Sequence, residues 1–323
     1  MLMNVFCFPI RHQNKIIEIN KEIIESLGHQ VYPLKSVYQP KFFFDFDKAV
    51  ILNWVEDQPY IDSYGFFKSW IYFFFYLTTI ICCKLTSRKI IWIKHNFKPH
   101  INKKFSYRHM ITCYLMNIFN IKETTLEDYV GAHYIPHPLY LDDEELTSLA
   151  ESCQTTNKIK VTFFGHIKRY KGLHQALRIW PKDIPLSICG KIESPNYKRE
   201  LLDIVNRRNI NVVINEGFVE DSELENLLLE TSHVFLPHEA NTMISSGSFY
   251  HAITYGCNIL ATKSAFSMSK FKEHNFISIS NLGSVNLNTL QRSLVQRREV
   301  MSEALEHYSR VKIRKSWNFI LNS

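Results

Sequence analysis

Four short segments in the second half of the chain carry residue types suited to holding a diphosphate. The first is Gly165–Gly172, GHIKRYKG. It follows an apolar run ending at Phe164, holds three cations, and precedes a helix-like segment. Such a loop sets a cation and backbone N–H groups around phosphate oxygens, with Gly165, Arg169 and Lys171 as candidates. KRYK in isolation would read as a solvated surface loop; the strand before it and Gly172 after it favour phosphate binding. The second segment is Ile188-Cys189-Gly190-Lys191. Gly190 lets a ligand approach the backbone beside Lys191, or simply makes a tight turn. The third is EGFV, Glu216 to Val219, with an acidic stretch from Asp221 that suits a helix's first turn. Phe218 is a candidate wall for a nucleobase or a core aromatic. The fourth is LPHE, Leu236 to Glu239, followed by SSGS, Ser245 to Ser248. A serine-rich helix opening presents unbonded N–H groups and the positive end of the helix dipole. Ser246 and Gly247 are therefore candidate anion donors, with a plain serine N-cap as the structural alternative.

The first half offers candidates for proton transfer. KIIWIKHNFKPH ends an apolar run with His95, and ILNWVED ends another with Trp54, Glu56 and Asp57. A histidine or carboxylate at a strand end can deprotonate a hydroxyl, and a histidine can also bind phosphate. Each also has a structural reading: a satisfied histidine, or two solvated acids. His137, in IPHPLY, has similar standing. Asp45-Phe46-Asp47 has the spacing of a metal–diphosphate motif, but it precedes an apolar run instead of ending one. It is discounted, and no metal site is expected.

These residues need strand ends to hold them, and the periodicity supplies strands. In the first half, MNVFCFPI, HQVYPL, KAVILNWV, KIIWIKHN and a short strand-like GAHYIPHP alternate with helical segments. The helical segments are Gln13 to Leu27, an aromatic stretch, and Ser106 to Phe119. In the second half, strands at 159–164, 185–190, 211–214, 233–236 and 257–261 alternate likewise. This is the pattern of parallel sheets with crossover helices, α/β and doubly wound in both halves. PHPLYLDDEEL marks the break, giving domains at 1–140 and 141–290 and a helical tail at 291–323.

Composition bounds the rest. The 323 residues suit two domains. With 46% apolar residues, 23 Phe and 16 Tyr, the chain is too hydrophobic to be disordered. The net charge of +7 suits an anionic partner, but the cations are spread out and no nucleic acid is expected. Seven cysteines without a C-x-x-C pair suit a reducing cytosol. The N-terminal apolar run lacks a preceding basic region and reads as a strand, not a signal peptide. The run from Trp70 to Cys83 is too short to span a bilayer by itself and reads as a buried or membrane-touching helix.

Together the four loops resemble the C-terminal domain of GT-B glycosyltransferases, built from two Rossmann-like domains facing a cleft. FFGHIKRYKG is similar to that family's glycine–basic loop. ISSGSFYHAITYGCNILAT is similar to its diphosphate-holding helix. The resemblance implies that Lys171 contacts the donor diphosphate, that Ser246 and Gly247 give it N–H groups, and that Gly190, Lys191 and Phe218 lie near base and ribose. Many retaining members carry two glutamates eight residues apart; here those positions are Met243 and His251, and Glu239 is the candidate substitute for one. The S-G variant and the HN-x-x-PH segment at His95 resemble bacterial polysaccharide transferases of the xanthan glucuronosyltransferase kind, in glycosyltransferase family 4. This implies a peripheral enzyme at the cytoplasmic face of the membrane. It would use a nucleotide sugar, a glycan or lipid-linked glycan acceptor, and no cofactor. A nucleotide-sugar epimerase of the same fold and a non-catalytic nucleotide-sugar-binding subunit are the alternatives.

Overall fold

Alternating apolar runs and amphipathic segments fold into two parallel sheets. A computed structural model describes residues 2–12, 14–57, 65–97, 107–131, 133–153, 158–238, 243–279 and 282–323. The chain divides into two units. One comprises Met1–Pro138, Met243–Ser245 and Arg310–Ser323; the other comprises Leu139–Thr242 and Ser246–Ser309.

The first unit runs β1 (Asn4–Phe8), α1 (Ile16–Ser26), β2 (Gln30–Pro33), α2 (Pro40–Phe43), β3 (Lys48–Asn53), α3 (Phe66–Thr86), β4 (Lys89–Lys94), α4 (Tyr107–Ile118) and β5 (Lys122–Thr125). Its strands are parallel, in the order β2-β1-β3-β4-β5. Every residue of β3 is buried, as a continuous apolar run requires when both faces of a sheet are covered. Right-handed crossovers put α1 on one face and α3 with α4 on the other. Two cores follow from this. On one face Val5, Ile51 and Ile93 meet Ile16, Ile23 and Ile24; on the other Phe6, Val50 and Trp92 meet Ile80, Cys83 and Met116.

The second unit runs α5 (Asp143–Ser152), β6 (Val161–Phe164), α6 (Leu173–Leu177), β7 (Leu186–Gly190), α7 (Pro195–Arg208), β8 (Val212–Glu216), α8 (Asp221–Glu230), β9 (His233–Leu236), α9 (Gly247–Thr254), β10 (Asn258–Ala261), α10 (Ala265–Glu273), β11 (Ile277–Ile279), α11 (Leu287–Arg292) and α12 (Arg297–Tyr308). The order β11-β10-β9-β6-β7-β8 is the doubly wound order that reverses beside its first strand. Here that switch point falls between β6 and β9, where such sheets hold ligands. The fold is α/β in both units, as the periodicity predicts.

Three expectations need correction. GAHYIPHP is not a strand: its described residues pair with the sheet only at a Thr125–Tyr134 bridge. The edge strand is β5, KETT, which periodicity misses because it has no apolar run. The tail is not a separate region. It breaks at Ser309, and α13 (Arg310–Asn322) lies on α1 of the first unit, where Trp317 Nε1 donates to Asn20 Oδ1 at 2.8 Å. The aromatic helix is also longer than its apolar run. α3 has 21 residues, and among the described residues it is the one helix long and apolar enough to cross a membrane.

Trp317 is fully buried, so Trp317→Ala leaves a large cavity and an unpaired Asn20. It is expected to cost about 3–5 kcal/mol, read as a lower urea midpoint. A midpoint within error of the parent would show that α13 is not held by this contact.

Candidate functional site

At the switch point of the second unit, the β6–β7 ladder runs on past the strands. Gly165 N–H donates to Cys189 C=O at 3.0 Å, and Ile167 N–H to Lys191 C=O at 2.9 Å. Gly165 (φ +96°) and Gly190 (φ +148°) pack backbone on backbone. A Cβ built on Gly190 would stand 2.0 Å from the Gly165 carbonyl oxygen, so the crossing requires glycine. Arg169–Lys171 form a 3₁₀ turn that ends at Gly172 (φ +74°).

That turn sends the Lys171 ammonium back over Gly165. The point where a Gly165 Cβ would sit lies 3.8 Å from Lys171 Nζ and 3.7 Å from Ser248 Oγ. Ser248 is in the first turn of α9. Ser246 is its buried N-cap, with Oγ accepting from Phe249 N–H, and the N–H groups at such a helix start have no acceptor within the helix. Lysine, hydroxyl and helix N-terminus thus meet over a glycine. Burial, and then Lys168, push Lys171 down to about 8, and among the described residues no carboxylate pairs with it. His238, buried at the end of β9, is held down to about 3 by burial and by Lys171, so it is neutral at neutral pH.

The other sequence candidates in this unit fall differently. Arg169 is exposed, pairs with Glu200 and lies 4.8 Å over the Tyr197 ring, so its charge is already answered. Lys191 is exposed, and Phe218 is 70% exposed on the loop after β8; the described residues form no closed base pocket around it. Glu239 lies outside the described residues. His251, at one of the two glutamate positions, is buried and stacks on Tyr140 at 4.0 Å.

The first unit gathers its own cluster at the ends of β1, β3 and β4. Glu56 is fully buried; its Oε1 accepts the N–H groups of His95 and Asn96, each at 2.9 Å. Its Oε2 is buried with no hydrogen-bond partner among the described residues, and burial raises the carboxyl to about 7. Asn53 Nδ2 donates to Phe8 C=O, which turns its Oδ1 to His95 Nε2 at 3.0 Å. Nε2 therefore carries the proton. Trp54 (φ +50°) lies between the rings of His12 and His95, at 4.5 and 4.4 Å.

The sequence suggests that His95 titrates near neutral pH. Burial, with His137 and His12 nearby, lowers it to about 3, and it stays neutral. His137 Nδ1 is 2.8 Å from Pro138 O. Asp57, half-buried, donates its N–H to Trp54 C=O. The D-x-D residues are structural. Asp45 accepts from Asn4 and Asp47 pairs with Arg88.

No protein-family model and no curated protein sequence matches the chain. Solved structures do. HepE from Anabaena in complex with UDP superposes with a TM-score of 0.65 at 14% identity, covering 100% of both chains. A glycosyltransferase from Rickettsia africae gives 0.61 at 11%, covering 99% of this chain and 98% of that one. AviGT4, a glycosyltransferase involved in avilamycin A biosynthesis, gives 0.58 at 13%, covering 100% and 97%. The fold is GT-B. Within that fold, sequence reasoning missed His238 and Ser248, although both stand in the quoted LPHE and SSGS segments. The signal was positional: one ends a strand at the switch point, and the other is the second residue of a helix.

Two outcomes test this geometry. Gly190→Ala is expected to destabilise the protein by roughly 2–4 kcal/mol, since a backbone must move; an unchanged melting temperature would show that the crossing yields freely. For Glu56, the folded pKa of about 7 lies above the ordinary 4.5. Its contribution is therefore full below pH 4.5 and is lost as pH rises through 7. Relative to Glu56→Gln, the parent should lose roughly 3 kcal/mol between pH 4.5 and 8, measured by urea unfolding. Parallel pH profiles would show that Glu56 ionises normally.

Proposed function

We propose that the protein is a glycosyltransferase that moves a hexose from a nucleotide-diphosphate sugar to a hydroxyl of a glycan, carried on a lipid, in bacterial surface polysaccharide synthesis. The observation that carries this reading is the meeting of Lys171 Nζ, Ser248 Oγ and the α9 N-terminus over Gly165. A diphosphate answers all three: a cation lacking a carboxylate partner among the described residues, a hydroxyl donor, and unbonded N–H groups. The structural neighbour HepE, in complex with UDP, supports uridine diphosphate as the first ligand to try.

In the reaction, the bond from the anomeric carbon to the phosphate oxygen breaks and the diphosphate leaves with the electron pair. Lys171 and the helix N-terminus offset that charge, the kind of placed electrostatics that is usually the largest catalytic term. The acceptor oxygen bonds to the anomeric carbon and gives up its proton. Within the first unit, Glu56 is better suited than His95 to accept a proton, because a carboxyl near 7 is poised at working pH. His95 and Trp54 form the stacked wall beside it.

The test is calorimetry with UDP. Lys171→Ala should weaken binding roughly tenfold to a hundredfold, the effect of losing one charge-assisted contact. Because free Lys171 titrates near 8, wild-type affinity should fall as pH rises from 7 to 9, and binding should take up a proton there. The variant should show neither effect. Equal affinity in a folded Lys171→Ala protein would sink the donor assignment. UDP binding without turnover of labelled donor on membrane lipid extract would leave a nucleotide-sugar-binding subunit.

A further inference from the structure

Among the described residues of the first unit, nothing covers the outer faces of α3 and α4. On α3, Phe67, Ile71, Phe74, Phe75 and Leu85 are each 59–79% exposed, and their spacing puts them along one side of the helix. On α4, Met110, Ile111, Tyr114 and Ile118 are 40–68% exposed, again at helical spacing. Arg108 ties the two helices together: its guanidinium lies 4.3 Å over the Trp70 ring and its NH1 donates to Ser69. An apolar surface of this extent marks an interaction site.

Charge accompanies it. Neither helix contains an acidic residue, while Lys68 and Lys84 stand exposed near the two ends of α3. Beyond the last turn of α3 lies a recess of about 180 Å³ lined by Lys84, Arg88, Lys89, Lys122 and His133. Arg88 is paired with Asp47, and Lys89 donates to the Ile320 carbonyl oxygen. Lys84 and Lys122 are exposed and have no ion pair among the described residues. Burial, then Lys122 and Arg88, hold Lys89 below its usual value, so positive charge is crowded there.

We propose that this face docks on a bilayer containing acidic phospholipids, with α3 and α4 lying in the interface and the basic recess taking anionic headgroups. An aromatic face flanked by lysines is the chemistry of an interfacial helix. α3 does not cross the membrane: Phe73, Thr79, Ile80, Cys83 and Thr86 are buried, and Ile80 and Cys83 belong to the sheet core. A spanning helix would have to abandon that packing. A second copy fits less well, because a two-fold axis through α3 would set Lys68 of one copy against Lys84 of the other.

The test is vesicle co-sedimentation without nucleotide, so its outcome is independent of the donor site. The protein should pellet with phosphatidylcholine–phosphatidylglycerol vesicles at 0.1 M salt. It should bind at least tenfold more weakly to pure phosphatidylcholine or at 0.5 M salt. Phe74→Glu/Phe75→Glu should lose at least tenfold in binding; Phe74→Ser/Phe75→Ser reads the same face should the glutamates prevent folding. Lys84→Glu/Lys122→Glu should remove the preference for anionic vesicles. The proposal is overturned if the parent pellets with neither vesicle, if both phenylalanine variants pellet like the parent, or if the lysine variant keeps its preference. It is also overturned if the parent is a dimer that binds no vesicle and that the serine variant splits into monomers, since a second copy would then cover the face.

Discussion

The contact between Gly165 and Gly190 governs the second unit's site. Parallel strands end at different heights, and the loops beyond them normally splay. Here β6 and β7 stay paired past their ends because Gly190 has no side chain to hold the backbones apart. The loop after Phe164 is thereby pinned through Ile167, which both donates to Lys191 and accepts from Glu193. A pinned loop can make only a short turn before α6, and that turn returns Lys171 to the sheet end. An ammonium on a free loop would stay in water. This one is drawn into the protein, its pKa falls, and it gains from any anion that enters.

Charges in the two units follow the same rule with different results. Arg169, two residues before Lys171, finds Glu200 and Tyr197 and is spent on structure. Lys171 has no such partner among the described residues, so its desolvation is left for a ligand to offset. In the first unit, Glu56 holds two backbone N–H groups through one oxygen and keeps the other buried without a partner among the described residues. A carboxylate used only as a cap would need no such burial. Its raised pKa and its place at a strand end are what make it a proton-transfer candidate.

The fold was legible because buried parallel strands are written as runs such as KAVILN and KIIWIK, and glycine or proline punctuates them. What escaped were elements without that pattern: β5, which is polar KETT at a sheet edge, and β11, which has three residues. The loops proposed to hold the donor were read from strand-end glycines followed by lysine or serine. Their division of labour was not. Nothing in KRYK says which cation meets Glu200 across the sheet, because that partner lies on α7, about thirty residues away. His95 was legible as a strand-end histidine, but its protonation depends on burial and on Asn53, His137 and His12, which only the fold brings together.

The two faces of the first sheet show how one helix layer can be structural and another functional. On one face α1 is itself covered: α13 lies on it, and Trp317 joins the core beneath. Among the described residues nothing of the kind lies over α3 and α4. An amphipathic helix packed on a sheet normally turns polar residues outward. α3 instead turns out phenylalanines, isoleucine and leucine, with a mean hydropathy of 1.5 over its most apolar stretch. Packing does not require this, since Ile80 and Cys83 already seat the helix on the sheet. Apolar residues this exposed, which would favour aggregation if left bare, make physical sense when another apolar phase completes them. The absence of acidic residues from both helices suits the proposed bilayer, an apolar phase whose surface is negative.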